Sequence, residues 1–209
     1  MSSSLSLKTA IDLTQLNGGQ LVDVRDPSAF ACGHQPGSLS IPYSRKGLGD
    51  RIGLFLSEDT PIIFVVEDEE QIAGITVQFE GTIERILGFV RSPLESGMDS
   101  HSELTTITEI TVKQIHELVT DGYIVLDVRE PIEWDTGHVP NAKLISLSNL
   151  EEELPQIPIA TKVAVICEAG IRSSSAVSLL LRSGFLEVVN VTDGTSGYRQ
   201  AGLPLEFPD

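Results

Sequence analysis

The chain has 209 residues, 41% of them hydrophobic, and carries a formal net charge of −16 at pH 7. That length holds one large domain or two of ordinary size, with enough apolar content for packed cores. The acidic excess excludes nucleic acid and anionic membrane surfaces as partners, because both need clustered Lys and Arg.

The opening segment, MSSSLSLKTAIDLTQL, has no basic head followed by an apolar core. No later segment approaches the ~18 apolar residues of a membrane span. A soluble, cytoplasmic protein is expected. Apolar runs then predict strands at QLVDV (20–24), SLSIP (38–42), PIIFVV (61–66) and ILGFVR (86–91), with a helical stretch over 69–80. The composition turns polar and rich in breakers over 92–106, which places a boundary near residue 102 and predicts domains 1–102 and 103–209. Beyond it, the spacing predicts a helix over 110–119 capped by Thr111, a strand at 123–128, and a short turn or helix in PIEWDTG. A strand follows at 142–147, a short helix in LEEELPQI ended by Pro158, a strand at 162–166, and a helix over 174–184. A strand at 187–191 and a helix near TSGYRQAG close the chain. Strands alternating with helices imply an α/β fold with mostly parallel central sheets flanked by helices, and ligands at the strands' C-terminal ends.

The two halves repeat one plan. LVDVRDPSAFACGHQPGSLSIP (21–42) matches IVLDVREPIEWDTGHVPNAKLISL (124–147) without gaps, setting Asp23 over Asp127, Arg25 over Arg129, Phe30 over Trp134 and His34 over His138. Downstream, TPIIFVVEDEEQIAG (60–74) aligns with TKVAVICEAGIRSSS (161–175), which puts Val66 opposite Cys167 and the run Glu67 to Glu70 opposite the loop that follows it. Four carboxylates oppose the positive potential an anion cradle needs. The first domain is therefore expected to be catalytically silent.

Cys167 is the candidate catalytic residue. It ends an apolar strand and precedes a Gly-containing loop and a helix start, where backbone N–H groups can converge on one atom and favour a sulfur anion. With two cysteines in different halves, Cys32 and Cys167, no disulfide framework is available. Cys32 has no such context and reads as structural or incidental. His34 and His138 recur in the active and the silent copy, so they read as structural, as do Asp127 and Arg129, which are expected to pair and support the sheet edge and the loop.

The DVRE strand end, the GHVPNA turn, CEAGIRS and the closing NVTDGTSGYRQAGLPLE together resemble the rhodanese-like sulfurtransferases, here as a tandem pair like the one fused behind metallo-β-lactamase-fold enzymes. No HxHxDH zinc motif is present. The resemblance implies that Cys167 takes sulfane sulfur from a donor such as thiosulfate or a persulfide, holds it as a persulfide, and hands it to a thiol or cyanide, with a protein donor or acceptor as a further option. It implies substrate binding by Glu168, Ala169, Gly170, Ile171, Arg172 and Ser173, and neither cofactor nor metal. Gly170 would permit the loop's turn, and Arg172 would close the loop or contact an anion. Glu168 stands where a basic residue often follows the cysteine, which predicts modest thiosulfate turnover.

The six residues from Cys167 to Arg172 suit a single sulfur, whereas phosphatases and arsenate reductases of this kind use seven. Phosphatase or arsenate reductase activity is therefore the lesser expectation. A persulfide carrier or sensor without turnover, or an interaction module using the acidic surface of residues 67 to 70, are the alternatives outside enzyme catalysis.

Overall fold

The computed structural model describes residues 4–94 and 103–208. It divides into two compact units, Met1–Thr106 and Ile107–Asp209. The boundary predicted near residue 102 lies outside the described residues.

The first unit contains α1 (Leu7–Asn17), β1 (Gln20–Asp23), α2 (Pro27–Cys32), β2 (Leu39–Ser40), α3 (Leu48–Ile52), β3 (Ile62–Val66), α4 (Glu69–Gln78) and β4 (Ile86–Arg91). Its sheet is parallel in the order β2-β1-β3-β4, and Leu5 adds a parallel bridge to Val90 at the outer edge. The second unit contains β5 (Thr108–Ile110), α5 (Ile115–Thr120), β6 (Ile124–Asp127), α6 (Pro131–Trp134), β7 (Lys143–Leu144), α7 (Leu150–Glu153), β8 (Val163–Ile166), α8 (Ile171–Arg182), β9 (Val188–Val191) and α9 (Gly194–Gln200). Its parallel sheet runs β5-β9-β8-β6-β7. Both units are thus α/β layers with helices flanking a parallel sheet.

The central strands β3 (IIFVV) and β8 (VAVI) are buried at every residue, as strands covered on both faces must be. Each such Ile, Val or Phe contributes about 1.5–3 kcal/mol by leaving water. Around β8 and β9, Ile110, Val125, Val139, Ala164, Ile166, Val189, Val191 and Tyr198 form one core. Leu7, Ala10, Leu21, Ile63, Val65 and Val90 form its counterpart in the first unit.

Several predicted elements change on folding. The helix predicted over 110–119 begins later, because Ile110 is claimed by β5, paired with Val191. Thr111 then opens a single 3₁₀ turn, and its N–H donates to Gln114 Oε1 at 3.0 Å in a capping box. The strand predicted over 142–147 reduces to Lys143–Leu144. In LEEELPQI the α-helix stops at Glu153, ahead of the predicted Pro158, because Pro155 has no N–H to continue it. The helix α8 starts three residues before the predicted 174, so the end of the CEAGIRS loop is already its first turn. α1 has no counterpart among the predicted elements. Ser6 caps it by accepting from the Thr9 N–H at 3.1 Å, and Gly18, at φ +63°, ends it.

Candidate functional site

The site is built where β8 stops. Cys167 follows Ile166 directly, and its side chain is 1% exposed. Gly170 turns the chain into α8 at φ +83°, a conformation that disfavours a Cβ, and a Cβ there would collide with the Thr192 carbonyl. Gly194, at φ +59°, packs equally closely on the carbonyls of Cys167 and Glu168. The first turn of α9 is therefore pressed against the loop. Thr195 N–H donates to Cys167 O at 2.8 Å and Ser196 N–H to Glu168 O at 3.1 Å.

Those two bonds orient the loop. In a planar trans peptide the C=O and N–H point in opposite directions, so the Glu168 and Ala169 N–H groups face away from α9. Among the described residues, none of the N–H groups from Glu168 to Ser173 donates to a backbone carbonyl. They form a run of available donors next to Cys167 at the N-terminus of a 12-residue helix. Ser173 sits on the helix's first turn, fully buried, with its hydroxyl 3.4 Å from the Cys167 sulfur. As a thiol, Cys167 donates to this oxygen; as a thiolate it would accept from it.

Charged side chains surround the loop in pairs. Arg129 and Asp127 are both wholly buried and joined through Nε and Nη2, with Nη2 to Oδ2 at 2.8 Å. Arg129 also donates to the Glu133 and Gly137 carbonyls, each at 3.1 Å, which fastens α6 to the end of β6. Arg172 makes a bidentate pair with Glu133, at 2.6 and 2.7 Å. The Arg172 hydrogen bonds, with smaller help from the Glu130 N–H, hold the Glu133 carboxyl down at about 2 against the opposing effect of burial. Glu168 turns its carboxylate toward α9, where Oε1 meets Arg199 Nη2 and Oε2 accepts from the Thr195 hydroxyl at 2.7 Å. Arg129 Nη1 lies 3.8 Å from that second oxygen.

The structure thus brings Cys167, Ser173 and the amides of 168–173 together, and places the Glu168 and Arg172 side chains in ion pairs. Glu133, Thr195 and Arg199 were not among the candidate site residues. A signal for Glu133 existed in the repeat, since its counterpart is Ala29, a charge present only in the half that has the loop. His138 stacks on Trp134 at 3.5 Å, as His34 does on Phe30 at 3.9 Å. Each histidine's backbone pairs with a returning tail, His34 with Thr105 and His138 with Glu206. Cys32 is an exposed, free cysteine. Among the described residues no group of His, Cys, Asp and Glu is arranged to hold a metal ion, and no helix is long and apolar enough to cross a membrane.

In the first unit, the register of β1 with β3 matches that of β6 with β8, so Val66 occupies the place of Cys167. The segment after it is closed by its own side chains. Glu67 N–H donates to Gln71 Oε1 and Gln71 N–H to Asp68 Oδ1, both at 2.9 Å. Glu70 pairs with Arg45 at 3.0 Å, and Glu69 with Arg91. Four residues from Cys167 lead to the first residue of α8, but only three from Val66 lead to α4.

Residues 111–201 match the family of rhodanese-like domains. The chain is 30% identical over 110 residues to a Mycobacterium tuberculosis protein described as "Probable adenylyltransferase/sulfurtransferase MoeZ", over 51% of this chain and 28% of that one. It is 28% identical over 90 residues to a sulfurtransferase of Allochromatium vinosum, over 43% of this chain and 84% of that one. A rhodanese-related protein of Thermoplasma volcanium aligns at 35% identity with a TM-score of 0.45, over 48% of this chain and 99% of that one. The chain spans less than a third of the length of the MoeZ relative. The segment that matches rhodanese-like domains, residues 111–201, contains Cys167, the amides after it and the arginines around them, and sulfurtransferases are among the proteins the chain resembles.

Proposed function

We propose that this chain is a sulfurtransferase that carries sulfane sulfur on Cys167. The carrying observation is the cysteine at the end of β8, beside a buried hydroxyl and a run of N–H groups with no backbone acceptor. The Cys167 thiolate attacks the outer sulfur of the donor, the donor's S–S bond breaks, and the leaving group departs with the electron pair. The new persulfide keeps its negative terminal sulfur inside the amide run, which favours charge developing there. A thiol or cyanide then attacks that sulfur and restores the thiolate. With cyanide the product is thiocyanate, and no cofactor enters the balance.

The tandem reading belongs to this proposal as well. The first unit is a rhodanese-like domain without activity, divided from the second near residue 102. Its Val66 and the self-capped segment behind it support this. A protein donor or acceptor, and a cytoplasmic site of action, complete the reading. Phosphatase chemistry is disfavoured because Arg172, the loop cation, is already spent on Glu133. The test is steady-state thiocyanate formation from a sulfane donor and cyanide. Sustained turnover that disappears in Cys167→Ser is expected, and turnover that survives that substitution would refute the role of Cys167.

A further inference from the structure

The three arginines around the Cys167 loop each have a carboxylate of their own. Arg129 is matched by Asp127, Arg172 by Glu133, and Arg199 by Glu168. Glu133, held at about 2, is ionised at neutral pH, so Arg172 stays paired there. Three positive and three negative charges cancel within these pairs, and Glu130, which also acts on Arg172, adds a further negative charge. Arg199 differs from the other two in one respect: its Nη1 is buried without a partner among the described residues. A donor able to serve an oxyanion therefore stands beside the loop with its charge already cancelled.

We propose that Glu168 is a specificity-determining residue that, by occupying Arg199, turns the site from doubly charged oxyanion donors toward persulfide donors of the form R–S–SH. This rests on the sulfurtransferase reading above. With R–S–SH, the thiolate attacks the outer sulfur, the S–S bond breaks, RS⁻ leaves with the electron pair and takes up the proton of the transferred sulfur, and Cys167 becomes Cys–S–S⁻. One negative charge is present before and after. With thiosulfate the same attack expels sulfite and leaves Cys–S–S⁻, so three negative charges share the site throughout. A shell whose arginines are all matched gives the two additional charges no compensation.

The test measures kcat/KM for thiosulfate and for benzyl persulfide, with cyanide as acceptor, in the wild type, Glu168→Gln, Arg199→Gln and the double variant. The donor ratio is read because it does not depend on the fraction of folded protein. Glu168→Gln keeps an acceptor for Arg199 and removes the charge, and it should raise the thiosulfate-to-persulfide ratio about tenfold. Arg199→Gln should lower the ratio, and the double variant, matched again, should return it near the wild-type value. An unchanged ratio in Glu168→Gln, or a rise in Arg199→Gln, overturns the proposal while leaving sulfur transfer intact. Failure of both donors to load wild-type Cys167 would remove the underlying reading and the proposal with it.

Discussion

Ser173 is fully buried and its hydroxyl touches the Cys167 sulfur. A hydrogen bond to a charged group is worth about 1.5–3 kcal/mol, so Ser173→Ala should slow iodoacetamide alkylation of Cys167 at neutral pH by about tenfold or more. Equal alkylation rates in the two proteins would show that the hydroxyl only packs. The cysteine, its loop and the glycine turn were legible in the sequence because they are contiguous. What surrounds them was not. Glu133, Arg199 and Thr195 come from α6 and α9, and their pairing with Arg172 and Glu168 arises only when the sheet order sets those helices beside the end of β8. Glu168 shows the consequence: read along the chain it is a bare carboxylate next to a nucleophile, but in the fold it is neutralised by its neighbours.

At the scale of elements, the buried Asp127–Arg129 pair ties β6 to α6, and its first-unit counterpart, Asp23–Arg25, does the same for β1 and α2 through the Gly33 carbonyl at 2.8 Å. Breaking a wholly buried pair leaves a charge without compensation. Asp127→Asn should therefore destabilise the second unit by about 3–5 kcal/mol in urea denaturation; a loss under ~1 kcal/mol would deny the pair that role. His34 gives a pH test of the first unit. Burial against Phe30 lowers its value from the ordinary 6.5 to about 4. The unfolded chain binds the proton more readily between those limits, so stability is whole above 6.5 and declines as pH falls toward 4. The loss approaches ~3 kcal/mol for one histidine. A His34→Gln protein should show a flatter decline across that window, and an identical slope would assign the acid sensitivity elsewhere. Strand identities were the most legible elements, because β3 and β8 are unbroken apolar runs. Edge elements were the least: β5 had no predicted counterpart, and its last residue, Ile110, was read as the start of a helix, where edge pairing with β9 outweighed the local spacing.

For the whole molecule, the two parallel sheets share the order of their inner strands, while the second unit alone adds β5, α9 and the cysteine loop. Placing a cysteine at the silent position tests whether the residue alone was lost. Val66→Cys in a Cys167→Ser background should form no thiocyanate, because the Glu67 and Gln71 N–H groups there are already capped by Gln71 and Asp68. Turnover comparable to wild type would mean that the loop needs only its sulfur. The account as a whole turns on one event, the arrival of a sulfur atom on Cys167. Mass spectrometry of the intact and digested protein after exposure to a sulfane donor measures it directly. The expected result is a single adduct of about 32 Da on Cys167, removed by cyanide. A folded protein that gains no mass there, or gains it instead on the exposed Cys32, would contradict it.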